Sequence, residues 1–186
     1  MAQQLRAIKR RITSVKSTQK ITRAFELIAS SRIIKAQQRV EAARPYAEEM
    51  RRLMSSVAQN VGNIEHPLLT EREDVNTIGT IVISADRGLA GAYNSNVIRA
   101  AERDLNEHGK NSELFLVGKK AVNYFRFRGY SFEHSWMGVS DQPSIDDARA
   151  VAKAVGDAFR EEKVDEVRLA YTRYESAMTQ RPGPRP

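Results

Sequence analysis

The sequence predicts an α/β chain in two parts: a long N-terminal coiled-coil helix and a small domain built on a mostly parallel sheet. Three observations carry this. A mostly apolar stripe with a period of 3.5 residues and an unslipped register fills the first third of the chain. Short β-branched runs alternate with amphipathic helical segments in the remainder. A polar segment with turn chemistry separates the two.

The stripe begins at Leu5 and steps alternately by three and four residues. It passes through Ile8, Ile12, Val15, Gln19, Thr22, Glu26, Ala29, Ile33, Ala36, Val40, Ala43, Ala47, Met50, Met54, Val57 and Val61. Only Gln19, Thr22 and Glu26 of these are polar. The pattern holds for about eight heptads, and at 1.5 Å per residue the helix is roughly 85 Å long. A 186-residue chain needs no such helix for its own core, so this one is a shaft that lies against something else. The first 62 residues are assigned to it. Pro45 removes an i→i−4 hydrogen bond and crowds the preceding turn, which predicts a kink near Ala42–Arg44 or a break into two helices. The register of the stripe on both sides favours the kink.

The polar break at Gln19, Thr22 and Glu26 has Ile21, Phe25 and Ile28 beside it, so the apolar face swings sideways here. Two readings fit. Polar a/d residues can fix helix register. Alternatively, the helix faces more than one partner in this zone, with Phe25, Lys20 and Arg23 toward a second surface. The second is preferred because the break coincides with a basic cluster. The first forty residues hold ten Lys/Arg and one acid, a net of +9 against +7 for the chain, so the remainder sums to −2. Such a block suggests an acidic partner: nucleic acid, an anionic membrane or carboxylate-rich protein loops.

Residues 63–77 read as a linker. The α/β domain is assigned to 78–176. Ile78–Ser84 is a buried strand. A loop carrying Asp86, Arg87, Gly88 and Gly91 follows, with the glycines allowing a tight strand-to-helix turn and Asp86 capping or pairing with Arg87. Ser95 is read as the N-cap of a helix with Val97, Ile98, Ala101 and Leu105 inward, closed by Gly109. Leu114–Val117 is a second strand, Lys119–Arg128 a helix stopped by Gly129, and Tyr130–Ser135 a short third strand. Ser144 and Asp147 form a capping box for a helix with Val151, Val155 and Phe159 inward. Val167, Leu169 and Tyr171 alternate in a last strand. This succession predicts a small Rossmann-like layer domain with right-handed crossovers. The last ten residues, 177–186, are rich in proline and predict a disordered or polyproline-like tail.

Chemistry is sparse. The chain has no cysteine, which excludes disulfides and thiolate metal sites. His66, His108 and His134 lack ligand spacing, so no metal or cofactor is expected. No run approaches the length needed to span a bilayer, and the N-terminus has no apolar core of a secretory signal. The expected compartment is therefore a reducing one. Gly88-Leu89-Ala90-Gly91 matches neither dinucleotide nor P-loop spacing. Ser84, Asp104 and His108 form no triad by any sequence argument. Two other readings remain. One is a coiled-coil nucleic-acid binder, although in bZIP proteins the basic part carries no apolar stripe. The other is a nucleotide-binding enzyme using the Asp86–Tyr93 loop.

Several stretches resemble the gamma subunit of F-type ATP synthases. One runs from Ile12 to Ile33 (ITSVKSTQKITRAFELIASSRI), and Arg44-Pro45-Tyr46-Ala47 lies further along the helix. Ser84 to Asn94 (SADRGLAGAYN) and the segment Val167–Thr179, with YTRY and SAMTQ (Ser176–Gln180), complete the set. The resemblance covers about residues 2–180. It implies a non-catalytic central rotor stalk that couples proton flow to ATP synthesis. In that family the first and last helices form an antiparallel coiled coil inside the alpha/beta ring. The α/β domain sits with epsilon on the c-ring. The resemblance places Lys16, Gln19, Lys20, Thr22, Arg23, Phe25 and Arg32 toward the ring, and the stripe of Leu5, Ile8, Ile12, Val15, Ala29, Ile33, Ala36 and Val40 toward the second helix. It implies no cofactor, no nucleic-acid partner and no direct membrane insertion, with the protein peripheral on the cytoplasmic face of a bacterial membrane. The family continues past this point into its second coiled-coil helix, so the chain reads as a truncated form.

Overall fold

The structure, a computed structural model, describes residues 2–60, 68, 72, 74–108 and 111–185. The chain divides into two units, Met1–Ile64 and Glu65–Pro186. Most of the expected linker, and the expected stop at Gly109, lie outside the described residues.

Helix α1 runs from Ala2 to Asn60. Its sequence is rich in Ala, Arg and Gln and contains no glycine, which favours helix throughout. The assignment continues through Pro45, so the proline does not split it.

The second unit is a five-stranded sheet in the order β3-β2-β1-β4-β5. Its strands are β1 (Thr77–Ile83), β2 (Asn111–Val117), β3 (His134–Trp136), β4 (Glu166–Tyr174) and β5 (Gln180–Arg185). The first four are mutually parallel, and β5 is antiparallel to β4. Helices α2 (Tyr93–His108), α3 (Lys119–Phe127) and α4 (Ile145–Arg160) connect the parallel strands. One face of the sheet packs Val82, Leu114, Leu116 and Ala170 against Val97 and Ala101 of α2 and Val122 and Phe125 of α3. The other packs Phe115, with Val164 from the turn before β4, against Val155 and Ala158 of α4. Alternation along each strand produces the two faces. The α4 capping box forms as expected: the Ser144 hydroxyl accepts from the Asp147 amide at 3.1 Å, and the Asp147 carboxylate accepts from the Ser144 amide at 2.9 Å.

Three expectations are corrected. The tail is not disordered, because Gln180–Arg185 pairs with β4 from Tyr174↔Gln180 to Leu169↔Arg185. Pro182 and Pro184 have no N–H, so the donors of β5 to the ladder come from the other alternate set, Arg181, Gly183 and Arg185. Proline at alternate positions is therefore compatible with an edge strand, and it leaves the outer edge poor in donors. The third strand is His134–Trp136 rather than Tyr130–Ser135; it pairs through Phe115↔His134 and Val117↔Trp136. Helix α2 begins at Tyr93, and Ser95 lies inside it, donating its hydroxyl to the Ala92 carbonyl at 3.1 Å.

Candidate interaction surface

Among the described side chains of α1, every one is exposed except the half-buried Gln37. The stripe positions Leu5, Ile8, Ile12, Val15, Ile33 and Val40 therefore face solvent as an open apolar seam. The apolar residues beside the polar break are exposed too, Phe25 at 65%. At 100° per residue, Ile21, Phe25 and Ile28 share one side of the helix, and Leu27 and Ile34 lie about 140° away from it. The apolar surface of α1 in this zone is therefore not confined to one stripe. This zone coincides with the expected partner-facing residues.

The polar residues of the zone are held locally. The Thr18 and Thr22 hydroxyls donate to the carbonyls of Ser14 and Thr18, at 3.1 and 2.9 Å. Glu26 pairs with Arg23 at 3.1 Å. Among the described residues, no other cation between Arg6 and Arg39 has an acidic partner, so Lys16, Lys20 and Arg32 are free to meet carboxylates elsewhere. Ser14, Thr18 and Thr22, with Val15, Gln19, Arg23 and Glu26, line a shallow groove along the helix. Its narrow side chains would let another element approach closely. No helix among the described residues is long and apolar enough to cross a membrane.

The loop after β1 is a structural knot. Asp86 Oδ1 accepts from the amides of Lys119 and Gly138, both at 2.9 Å. Its Oδ2 accepts from the Ser140 amide at 3.0 Å and the Ser140 hydroxyl at 2.7 Å. Burial raises the carboxyl pKa, but these hydrogen bonds outweigh it and hold it at about 2. A carboxylate so engaged binds three loops together and is not poised as a base. Of the two roles expected for Asp86, capping or pairing with Arg87, the pairing does not form; Arg87 reaches Asp141 at 2.6 Å instead. Gly91 has φ +54, as a tight turn requires, but the other left-handed residue is Leu89 and not Gly88. A Cβ at Gly88 would meet only the Lys120 side chain, at 3.5 Å, so nothing there demands glycine. The position that does is Gly118, with φ +94, where a Cβ would lie 2.2 Å from the Ser84 carbonyl. No periodicity marks that close approach, so sequence reasoning missed it.

Ser84, Asp104 and His108 are not gathered into a catalytic set. The Ser84 hydroxyl donates toward the Val117 and Gly118 carbonyls and accepts from the Ala121 amide. Asp104 and His108 instead meet Arg168, at 3.0 and 2.6 Å, and Arg168 also holds Glu166 at 2.6 Å. Among the described residues, no group of three or more His, Cys, Asp or Glu could hold a metal ion.

A family model described as ATP synthase matches residues 4–185. The ATP synthase gamma chain of Parafrankia sp. is 51% identical over 97% of this chain and 62% of its own length. The gamma chain of Mycobacterium tuberculosis is 43% identical over 97% of this chain and 64% of its own. The chain thus spans under two thirds of these relatives. The central stalk of the Tetrahymena thermophila mitochondrial ATP synthase superposes with a TM-score of 0.65 at 20% identity. That match covers 89% of this chain and 70% of the other, and it establishes a shared fold. With the family model matched along nearly its whole length, this chain belongs to the ATP synthase gamma-chain family.

Proposed function

We propose that this chain works as the central-stalk part of an F-type ATP synthase, without catalytic residues of its own, transmitting rotation to a surrounding ring of alpha and beta subunits. The observation that carries the reading is the Lys16–Arg32 zone of α1, exposed on all sides, apolar on several and rich in unpaired cations. Lys16, Gln19, Lys20, Thr22, Arg23, Phe25 and Arg32 are the residues that meet the ring. The seam of Leu5, Ile8, Ile12, Val15, Ala29, Ile33, Ala36 and Val40 takes a second helix. The α/β unit meets epsilon and the c-ring, which places the protein peripherally on the cytoplasmic face of a bacterial membrane. Free cations opposite acidic loops would steer and orient such an assembly.

Reconstitution with purified Parafrankia alpha, beta and epsilon subunits tests this. A stoichiometric complex is expected on gel filtration, and Lys20→Glu with Arg23→Glu should weaken it at least about tenfold. Failure to join the ring, together with a steeply salt-dependent affinity for duplex DNA, would overturn the proposal in favour of a nucleic-acid binder.

A further inference from the structure

The α/β unit contains a cavity that the rotor reading does not use. It measures about 700 Å³ and lies on the α4 face of the sheet, at the carboxyl ends of β1 and β2 and beside Leu169 in the middle of β4. Chain order reverses between β1 and β4, because β2 and β3 lie to one side of β1 and β4 to the other. Ligands of open parallel sheets bind in the crevice at such a switch point.

The cavity exists because α4 covers only part of the sheet. Its C-terminal half is anchored by the buried Val155 and Ala158, and in its N-terminal half Ala148 and Ala152 remain exposed. The floor is Ile81, Ile83, Val117 and Leu169, and Trp136 forms a wall. The volume falls within the range of small-molecule pockets, about 300–1,000 Å³.

The polar groups at the rim are mostly spent. Arg87 and Asp141 neutralise each other at 2.6 Å. The Ser140 hydroxyl donates to Asp86, and Ser144 and Asp147 satisfy each other in the capping box. Tyr93 differs: its side chain lines the cavity, and among the described residues its hydroxyl makes no hydrogen bond. Burial also pushes its phenol above the ordinary value. The charged groups of the rim, Arg87, Asp141 and Asp147, sum to −1 and disfavour an anionic ligand such as a nucleotide, the floor is apolar, and one unspent hydroxyl matches one polar substituent.

We propose that this cavity binds a small, uncharged, planar aromatic molecule with a single hydrogen-bonding group, its rings between Trp136 and the Ala148–Ala152 side of α4 and its polar group on Tyr93. The site is independent of the rotor reading.

Trp136 is the only tryptophan in the chain, so its emission reports occupancy. The probe is prodan, a neutral naphthalene with one ketone acceptor, titrated into the full chain. The expected result is saturable quenching of Trp136 at one prodan per chain. Ala152→Phe, which fills the cavity, should weaken it at least tenfold, and Tyr93→Phe about fivefold, as for one lost hydrogen bond. The exposed seam of α1 also attracts apolar dyes, so the variants carry the test. Quenching unchanged in both variants would place the dye elsewhere and overturn the proposal. Absence of quenching, or a Trp136 that acrylamide cannot reach, would overturn it by showing the cavity closed. If Ala152→Phe does not fold, Tyr93→Phe alone decides.

Discussion

Asp86 accepts four hydrogen bonds from three positions in two segments distant in sequence, the start of α3 and the loop after β3. Its carboxylate therefore has a definite pH signature. The folded pKa, about 2, lies below the ordinary 3.8. A depressed carboxyl contributes stability above its unfolded pKa, and that stability is lost as pH falls from about 4 through about 2. After allowance for solvent screening the contribution is about 1 kcal/mol. Asp86→Asn should destabilise the α/β unit by about 1–3 kcal/mol, because the amide nitrogen turns a donor toward backbone N–H groups. Urea denaturation at pH 7 measures the loss. The same titration repeated toward pH 3 should show a shallower decline for the variant than for the parent chain.

At the scale of elements, α1 carries a conflict that its surroundings do not explain. Pro45 cannot donate to the Glu41 carbonyl and crowds the turn before it. Interior proline costs a helix about 3 kcal/mol relative to alanine. Pro45→Ala should therefore raise the helical content of the chain and delay the first phase of its thermal loss in far-ultraviolet circular dichroism. An unchanged melt would mean that α1 around Pro45 is held by other contacts. The β5 strand shows the opposite relation. Its prolines match alternate positions that need no donor, so the same residue type that opposes one element is compatible with the other.

For the whole molecule, the exposed seam of α1 dominates behaviour in solution. Exposed apolar patches beyond a few hundred Å² drive association, and each Å² buried contributes about 25 cal/mol. The isolated chain should self-associate with a concentration-dependent sedimentation coefficient. Replacing Ile8, Ile12 and Val15 together by glutamine should return it toward monomer while the α/β unit stays folded. A monodisperse parent monomer with a fully helical N-terminus would contradict this.

Elements with strong periodicity were legible before any coordinates. The 3.5-residue stripe specifies one long helix because a slip of a single residue would rotate its apolar face by 100°. The β-branched run from Ile78 and the Ser144–Asp147 cap are equally local, and both stand in the structure. What the sequence could not decide was long-range pairing. Proline content alone suggested a disordered tail, but the open edge of β4 makes a strand of it. Asp86 has Arg87 next to it in the chain, yet its partners come from segments more than thirty residues away. The need for glycine at 118 arises from the Ser84 carbonyl, and the cavity beside Trp136 from where α4 meets the sheet. Local propensity and periodicity act over one or two turns of chain; contacts between strands and loops are set only when the whole sheet closes.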